Sequence, residues 1–217
     1  ELAAYESCPQ GYLLRNELGF MPALQQEIGY GNAVHHIMRV LAEQTQTTGK
    51  LPTPRQINDL LTSDFYLPFA SKPAHKEMRE KARAMVFKYV KEHKEDLLRT
   101  WATERPFELY LPGVVISGRA DVIYDEHNGV PENLAIVDYK TATGPEVEPL
   151  QLQVYADAGR REGLTVGAAF IHDLSTTTRH DVPVDVAYID SAELRVTIAA
   201  DALRQRDFTP KPEISKC

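Results

Sequence analysis

The sequence predicts an α/β protein in which a helical first part precedes a sheet. Before residue 98, apolar residues recur at the three- and four-residue spacings of amphipathic helices. From Trp101 onward, alternating and β-branched runs replace that pattern, and helical stretches separate and follow them. The predicted order is therefore helices, three strands, a helix, two strands and a closing helix.

Helices are expected throughout the first part of the chain. They cover Leu2–Leu18, Asn32–Gln46, Pro54–Leu61 and Ala74–Leu98. The second has the clearest apolar stripe, because its residues at i, i+3, i+4 and i+7 are all apolar. These residues are Val34, Ile37, Met38 and Leu41. Gly29 and Gly31 interrupt the chain just before this helix, and Asn32 is a suitable N-cap.

Strands and two helices are expected after Trp101. In the first strand, Phe107, Leu109 and Leu111 alternate with other residue types, as on a strand with one buried face. The other predicted strands are Val114–Tyr124, Leu134–Tyr139, Thr165–Leu174 and Arg179–Val186. The predicted helices are Pro149–Glu162, with Gly163 just past its end, and Ser191–Arg206.

Length and composition limit the class of protein. With 217 residues, 43% of them hydrophobic, we expect a helical region at 1–100 and a sheet-containing core at 101–217 within one integrated domain. No run approaches the roughly 18 apolar residues of a membrane span, and no export signal is visible. Two cysteines fit a reducing cytoplasm. The net charge of −7 argues against a broad basic surface for nucleic-acid phosphates, and the absent initial Met predicts a fragment of a longer protein.

The segment Ile136–Lys140 is an apolar strand that ends in an acid and a base. Residues two apart on a strand point to the same face, so Asp138 and Lys140 project together. Upstream, the segment Gly118–Asp121 puts another carboxylate inside a predicted strand, where an unpaired buried charge costs free energy. A divalent cation would remove that cost, and carboxylate oxygens suit Mg²⁺ or Mn²⁺ better than zinc. The alternative is a surface ion pair, with Asp121 facing solvent.

These two motifs resemble the PD-(D/E)XK nuclease superfamily, in which an acid on one strand is followed by an acid, a spacer and a lysine on the next. Asp121 occupies the first position, Asp138 the second and Lys140 that of the lysine. The family's proline is not beside Asp121, but the segment Gly118–Asp121 matches the G-x-x-D form of the RecB-like branch. The resemblance implies a restriction-endonuclease-like core, a central mixed sheet flanked by helices, with a helical N-terminal region.

Two further motifs are similar to the RecB-like branch. That branch carries a Gln and a Tyr four residues apart on the helix after the lysine, and Gln151 and Tyr155 have this spacing. Such a spacing puts both on one helix face, and Gln153 is the alternative if the register differs. The branch also has an upstream helix beginning G-x-x-x-H, whose histidine binds metal. His35 matches it, and the adjacent His36 is expected to point elsewhere.

The two cysteines, Cys8 and Cys217, lie near opposite ends of the chain. Some RecB-like nucleases hold a [4Fe–4S] cluster with one Cys near the start and three near the end. Cys8 resembles the first ligand, and Cys217 the first of the final three. Four thiolates are needed for such a cluster, so the resemblance implies that the other two ligands lie beyond this chain. Two unrelated free thiols are the alternative.

The resemblance implies a Mg²⁺- or Mn²⁺-dependent deoxyribonuclease. The implied catalytic residues are Asp121, Asp138, Lys140, Gln151 and Tyr155, and the implied metal ligands are His35, Asp121, Asp138 and the Tyr139 backbone carbonyl. Glu104 stands where many members of the branch carry another acid. We expect a cytoplasmic exonuclease that acts on single-stranded DNA in repair or recombination, with a fused or bound helicase. The alternatives are a catalytically inactive DNA-binding module of a helicase complex and an unrelated α/β protein.

Overall fold

A five-stranded mixed sheet forms the centre of the computed structural model, which describes residues 2–20, 25–126, 133–141 and 148–211. The strands are β1 (Thr100–Leu111), β2 (Val114–Asp125), β3 (Leu134–Lys140), β4 (Val166–Asp173) and β5 (Thr178–Asp181). They lie side by side in the order of the chain. β3 and β4 run parallel, whereas the other neighbouring strands are antiparallel.

Helices precede the sheet, connect its parallel strands and close the chain. They are α1 (Leu2–Ser7), α2 (Pro9–Tyr12), α3 (Tyr30–Thr48), α4 (Pro54–Ser63), α5 (Lys72–Glu92), α6 (Lys94–Leu98), α7 (Leu150–Arg161) and α8 (Val186–Arg204). A π-helical segment, Leu13–Glu17, follows α2. α7 lies in the crossover that a parallel pair such as β3 and β4 requires. Within the described residues, no helix combines the length and the apolar character needed to cross a membrane.

The sheet is covered by helices on both faces. Successive residues of β3 alternate between two cores: Ala135 and Val137 pack with the helices of the first part, whereas Leu134 and Ile136 pack with α7 and α8. All of these side chains are buried, as expected for a central strand between two helical layers. The predicted fold class, a mixed sheet flanked by helices with a helical N-terminal region, is confirmed.

Two of the predicted helices are broken. The one expected at Leu2–Leu18 is interrupted at Cys8, whose backbone is extended (φ −156°, ψ 95°). The cause is Pro9, because a proline disfavours helical geometry in the residue before it. The helix expected at Ala74–Leu98 is interrupted at His93 (φ −121°, ψ 34°), which separates α5 from α6.

Two other boundaries differ from the sequence prediction. α3 begins directly after Gly29 (φ 92°), so Asn32 lies inside the first turn and is not the N-cap. The last strand ends at Asp181 and does not reach Val186. Pro183 has no backbone N–H to donate to β4, and the chain instead begins α8 earlier than predicted.

Three tyrosine hydroxyls meet in the core between α5, β2 and β3. Tyr124 Oη lies 2.6 Å from Tyr89 Oη and 2.7 Å from Tyr139 Oη, and the last two are 3.2 Å apart. All three side chains are buried. Each hydroxyl therefore has the other two as its hydrogen-bond partners in place of water.

Tyr124→Phe is expected to lower the free energy of unfolding by about 1–3 kcal/mol, because it leaves two buried hydroxyls with only their longest contact. Urea denaturation followed by circular dichroism measures the change. The matched control is Tyr110→Phe, since Tyr110 is exposed and its hydroxyl contacts Glu108 at the surface. The control should stay within about 0.5 kcal/mol of wild type. Equal stability of the two variants would contradict the role given to the buried hydroxyls.

Candidate active site

β2 and β3 bring two carboxylates to the same place. Their antiparallel register pairs Val122 with Val137, so the next positions along the two strands are Asp121 and Asp138. The backbone N–H of Tyr139 donates to Asp121 Oδ2 at 2.7 Å, which ties the first acid to the second strand. The two acids predicted from the sequence therefore lie side by side.

Asp138 is a buried carboxylate with a half-exposed lysine beside it. The side chain of Asp138 is 8% exposed and that of Lys140 is 44% exposed, and Lys140 Nζ lies 2.7 Å from Asp138 Oδ2. The Lys140 ammonium is therefore the close cationic partner of this buried oxygen. Burial raises the pKa of Asp138; the charge of Lys140 opposes that rise, and the charge of Asp121 adds to it. The positive charge of Lys140 thus offsets only part of the free-energy cost of burying the ionised carboxylate.

α3 carries His35 to the same carboxylates. His35 Nδ1 lies 3.3 Å from Asp121 Oδ1. Burial acts to lower the pKa of His35, but the hydrogen bond with Asp121 and the charges of Asp121 and Asp138 outweigh it, so the net pKa is raised. The adjacent His36 points away, with Nε2 3.2 Å from Asp64 Oδ2. Of these two neighbouring histidines, His35 is the one beside the carboxylates.

α7 positions Gln151 and Tyr155 over this group. Gln151 Nε2 donates to Asp138 Oδ1 at 3.2 Å and to Tyr155 Oη at 3.3 Å. Tyr155 Oη also accepts a hydrogen bond of 3.0 Å from the backbone N–H of Arg119. Gln153, the alternative left open by the sequence, is buried and donates to a backbone carbonyl before α8. Gln151 is therefore the glutamine of α7 that contacts the carboxylates.

Gly118 has a steric role that the sequence analysis missed. A Cβ atom at this position would lie 2.3 Å from Tyr155 Oη and 2.5 Å from Tyr155 Cε1, far inside contact distance. The ring of Tyr155 stacks on Phe107, with centroids 5.7 Å apart. A glycine inside a predicted strand is the available signal for such a close approach, but it does not say which side chain approaches.

Glu104 and Cys8, which were also singled out in the sequence, have their described partners outside the carboxylate group. Glu104 Oε2 lies 3.4 Å from Arg119 Nη1, and Glu104 has a left-handed backbone (φ 50°) within β1. Cys8 Sγ accepts a hydrogen bond of 3.3 Å from the backbone N–H of Gly11, at the start of α2. Cys217, the other predicted cluster ligand, lies outside the described residues.

The carboxylate group has the chemistry of a divalent-cation site. Asp121 and Asp138 supply oxygen ligands of the kind that Mg²⁺ and Mn²⁺ prefer, and His35 adds an imidazole nitrogen. Asp138 Oδ2 is a buried oxygen beside the half-exposed Lys140 ammonium, and burial raises the pKa of this carboxyl, so a cation would stabilise its ionised form. These residues fit such an ion.

Comparison with solved structures shows a shared fold. A "Putative exonuclease" from Eubacterium rectale aligns with 100% of this chain and 84% of its own, with a TM-score of 0.55 and 13% identity. Protein VC1899 from Vibrio cholerae aligns with 85% of this chain and 54% of its own, with a TM-score of 0.27 and 14% identity. Only the first alignment is close enough to indicate a common fold.

Comparison of sequences identifies the family. No curated protein matches the chain. The family model of the PD-(D/E)XK nuclease superfamily, however, matches residues 1–217. The match covers all of the strands and helices described above, so this chain belongs to the PD-(D/E)XK nuclease superfamily.

Proposed function

We propose that this chain hydrolyses DNA phosphodiester bonds with Mg²⁺ or Mn²⁺, as a RecB-like exonuclease acting on single-stranded DNA. The observation that carries the proposal is one continuous set of contacts that joins His35, Asp121, Asp138 and Lys140. Membership of a nuclease superfamily supports the reaction class. The choice of DNA, of metal and of the RecB-like branch rests on the motifs of the sequence.

Four groups would hold the metal: the Asp121 and Asp138 carboxylates, the His35 ring and the Tyr139 backbone carbonyl. A bound divalent ion polarises the phosphate and lowers the pKa of its bound water. Both carboxylates belong to paired strands, and Asp121 already accepts the N–H of Tyr139, so their positions depend little on the ion. This preorganisation limits the entropy lost on binding.

Lys140 would act on the phosphate or on the attacking water. Its ammonium is anchored beside Asp138 yet remains 44% exposed, so a substrate oxygen can reach it. A fixed positive charge stabilises the charge that develops on the phosphate oxygens in the transition state. Water attacks phosphorus, the bond from phosphorus to O3′ breaks, and the products carry a 3′-hydroxyl and a 5′-phosphate.

Gln151 and Tyr155 would position the strand that is cut. Gln151 contacts both Asp138 and the Tyr155 hydroxyl, so the two side chains form one polar surface on α7 over the metal ligands. Their contribution is orientation of the phosphate, because neither is needed to transfer a proton. Substitution of either residue is therefore less severe than loss of Asp138.

We also propose a cytoplasmic role in DNA repair or recombination, with a fused or bound helicase that supplies single strands. This setting follows from the likeness of the motifs to RecB-like enzymes. A [4Fe–4S] cluster held in part by Cys8 and Cys217 belongs to the same proposal. Four thiolates are required and the sequence has two cysteines, so no step of the reaction is assigned to the cluster.

Lys140→Ala tests the proposed chemistry. With Mg²⁺ or Mn²⁺, we expect the variant to degrade 5′-labelled single-stranded DNA about 10²- to 10³-fold more slowly than wild type, the usual cost of removing one transition-state donor. The matched control is Lys50→Ala, because Lys50 is exposed and lies beyond the far end of α3 from His35. It should cleave at the wild-type rate. Equal cleavage rates for wild type and Lys140→Ala would refute the mechanism. A wild-type protein that binds DNA but does not cleave it would favour the alternative of an inactive DNA-binding module.

A further inference from the structure

A second group of ligand-type side chains lies apart from the carboxylates of the proposed nuclease site. It consists of His93 at the junction of α5 and α6, Asp96 in α6 and His172 in β4. One ligand atom from each residue lies within 4.8 Å of the other two. None of the three contacts Asp121 or Asp138 through a described hydrogen bond or ion pair, so the two groups are separate.

His172 is a fully buried imidazole without a hydrogen bond. Its exposure is 0%, and neither ring nitrogen has a partner among the described residues. Its nearest rings are those of His93, with centroids 4.4 Å apart, and Tyr89, at 4.9 Å. An uncharged ring in this position offers a lone pair that no described residue uses, at a free-energy cost typical of buried unsatisfied groups.

His93 is oriented as a metal-binding histidine would be. Its Nε2 lies 3.1 Å from the backbone carbonyl oxygen of Thr177, which can only accept, so Nε2 carries the proton of this hydrogen bond. In the neutral ring, Nδ1 then presents a lone pair to Asp96 Oδ2 at 3.3 Å, and two acceptors face each other. A cation between them removes this repulsion. A hydrogen bond from the other ring nitrogen to a carbonyl is the usual support of a ligating histidine.

Asp96 has one oxygen in a short contact with Arg99 and one buried oxygen without a hydrogen bond from the described residues. Its Oδ1 lies 2.5 Å from Arg99 Nη2, whereas its Oδ2 is buried and accepts no hydrogen bond within the described part of the chain. Arg179 Nη2 is 3.8 Å from Asp96 Oδ2, and both arginines also approach Glu126. The charges of the two acids and the two guanidinium groups thus cancel. A divalent ion would add positive charge that no further acid compensates, so this site should bind the ion more weakly than a thiolate site does.

We propose that His93 Nδ1, Asp96 Oδ2 and one ring nitrogen of His172 bind a transition-metal ion of the Zn²⁺ class. Two imidazoles select such an ion over Mg²⁺. Zn–N distances of about 2.0–2.1 Å put the ligand atoms of a tetrahedral site about 3.3 Å apart. His93 Nδ1 and Asp96 Oδ2 already have this separation, at 3.3 Å, and a ring nitrogen of His172, within 4.8 Å of the other ligand atoms, would approach by at most about 1.5 Å.

A bound ion would link the α5–α6 junction of the helical region to β4. Three protein ligands leave its fourth position to water, as in open zinc sites. The group also touches the core below the proposed active site, because Tyr89 stacks on His93 and shares its hydroxyl network with Tyr139. The inference stands independently of the nuclease proposal, since the two sites share no ligand.

Metal titration of the folded chain, with any affinity tag removed, tests this site. The background is His35→Gln/Asp138→Asn, which disables the other candidate ligand group. We expect this background to bind one equivalent of Co²⁺ with the visible absorption of a tetrahedral complex, to exchange it for Zn²⁺, and to unfold at a higher temperature with Zn²⁺. Adding His93→Gln should weaken Zn²⁺ binding by at least about 10-fold.

His180→Gln is the matched control, because it makes the same substitution on the neighbouring strand β5 and should leave Zn²⁺ affinity unchanged. Asp96→Asn, which keeps the side-chain shape, provides a second ligand variant if His93→Gln destabilises the fold. A background that binds no Zn²⁺, or ligand variants that bind it as tightly as His180→Gln, would overturn the proposal. The cluster would then be a metal-free charge network.

Discussion

Asp138→Asn is expected to reduce DNA cleavage by about 10³-fold or more while the protein remains folded. Metal-bound transition states gain several kcal/mol from the ion, and each 1.4 kcal/mol corresponds to about a tenfold change in rate. The amide keeps the size of the carboxylate and its contact with Gln151, but it removes the charge that would hold the ion. Single-turnover cleavage of labelled single-stranded DNA at saturating Mg²⁺ or Mn²⁺ measures the loss.

Asp138→Asn should also leave the metal-free protein at least as stable as wild type. The folded-state pKa of Asp138 is raised, chiefly by burial, so at neutral pH the ionised carboxylate is less favourable in the folded chain than in the unfolded one. An amide lacks that cost, and Lys140, which is 44% exposed, can turn to water. Urea denaturation in EDTA tests this. A loss of more than about 1 kcal/mol would identify the carboxylate as a stabilising partner of Lys140.

Asp59→Asn is the matched control for both measurements. Asp59 lies on α4, is 72% exposed and pairs with Arg55 one helical turn earlier. Such a surface pair contributes little to stability, so the control should match wild type in cleavage and remain within about 0.5 kcal/mol in stability. Mg²⁺ should raise the unfolding temperature of wild type and of the control, but not of Asp138→Asn.

The two acids and the lysine could be predicted from the sequence because their placement depends on short-range rules. Alternation along a strand puts Asp138 and Lys140 on one face, and adjacent antiparallel strands bring Asp121 beside Asp138. Helical periodicity likewise explains why Gln151 and Tyr155 meet. In each case, one or two elements next to each other in the chain determine the contact.

The group of His93, Asp96 and His172 could not be predicted in this way. Its members come together only after β3 and β4 pair in parallel and α6 packs near the end of β4, which requires the long-range topology. The break at His93 had no strong signal such as proline. The break at Cys8, by contrast, could have been predicted from Pro9, and the early end of the last strand from Pro183.

Gly118→Ala is expected to lower the free energy of unfolding by about 1–3 kcal/mol, the usual cost of overpacking a core. The added methyl group would lie 2.3–2.7 Å from atoms of the Tyr155 ring and hydroxyl. That ring is stacked on Phe107 and is only 7% exposed, so it cannot move aside freely. Its displacement would break the hydrogen bonds to Arg119 and Gln151, and a shift of about 1 Å in a positioning residue can cost about 10²-fold in rate.

Gly31→Ala is the stability control for this substitution. Gly31 lies in the first turn of α3, and a Cβ there would make an ordinary 3.6 Å contact with Thr141 Oγ1. Alanine in a helix is favoured over glycine by about 0.5–1 kcal/mol, so this variant should be as stable as wild type or more so. Opposite signs for the two Gly→Ala substitutions would separate the steric effect at Gly118 from a general effect of the added methyl group.

A double-mutant cycle identifies Tyr155 as the source of the strain at Gly118. In a Tyr155→Ala background the obstructing ring is absent, so adding Gly118→Ala should cost less than about 0.5 kcal/mol. The difference between its costs in the two backgrounds is the coupling energy, which is about 0.5–3 kcal/mol for residues in contact. The same cost in both backgrounds would mean that β2 requires glycine for its backbone and not for clearance. The G-x-x-D motif then has two separate functions if the coupling is found: the aspartate is one of the proposed metal ligands, and the glycine lets the tyrosine of α7 lie over them.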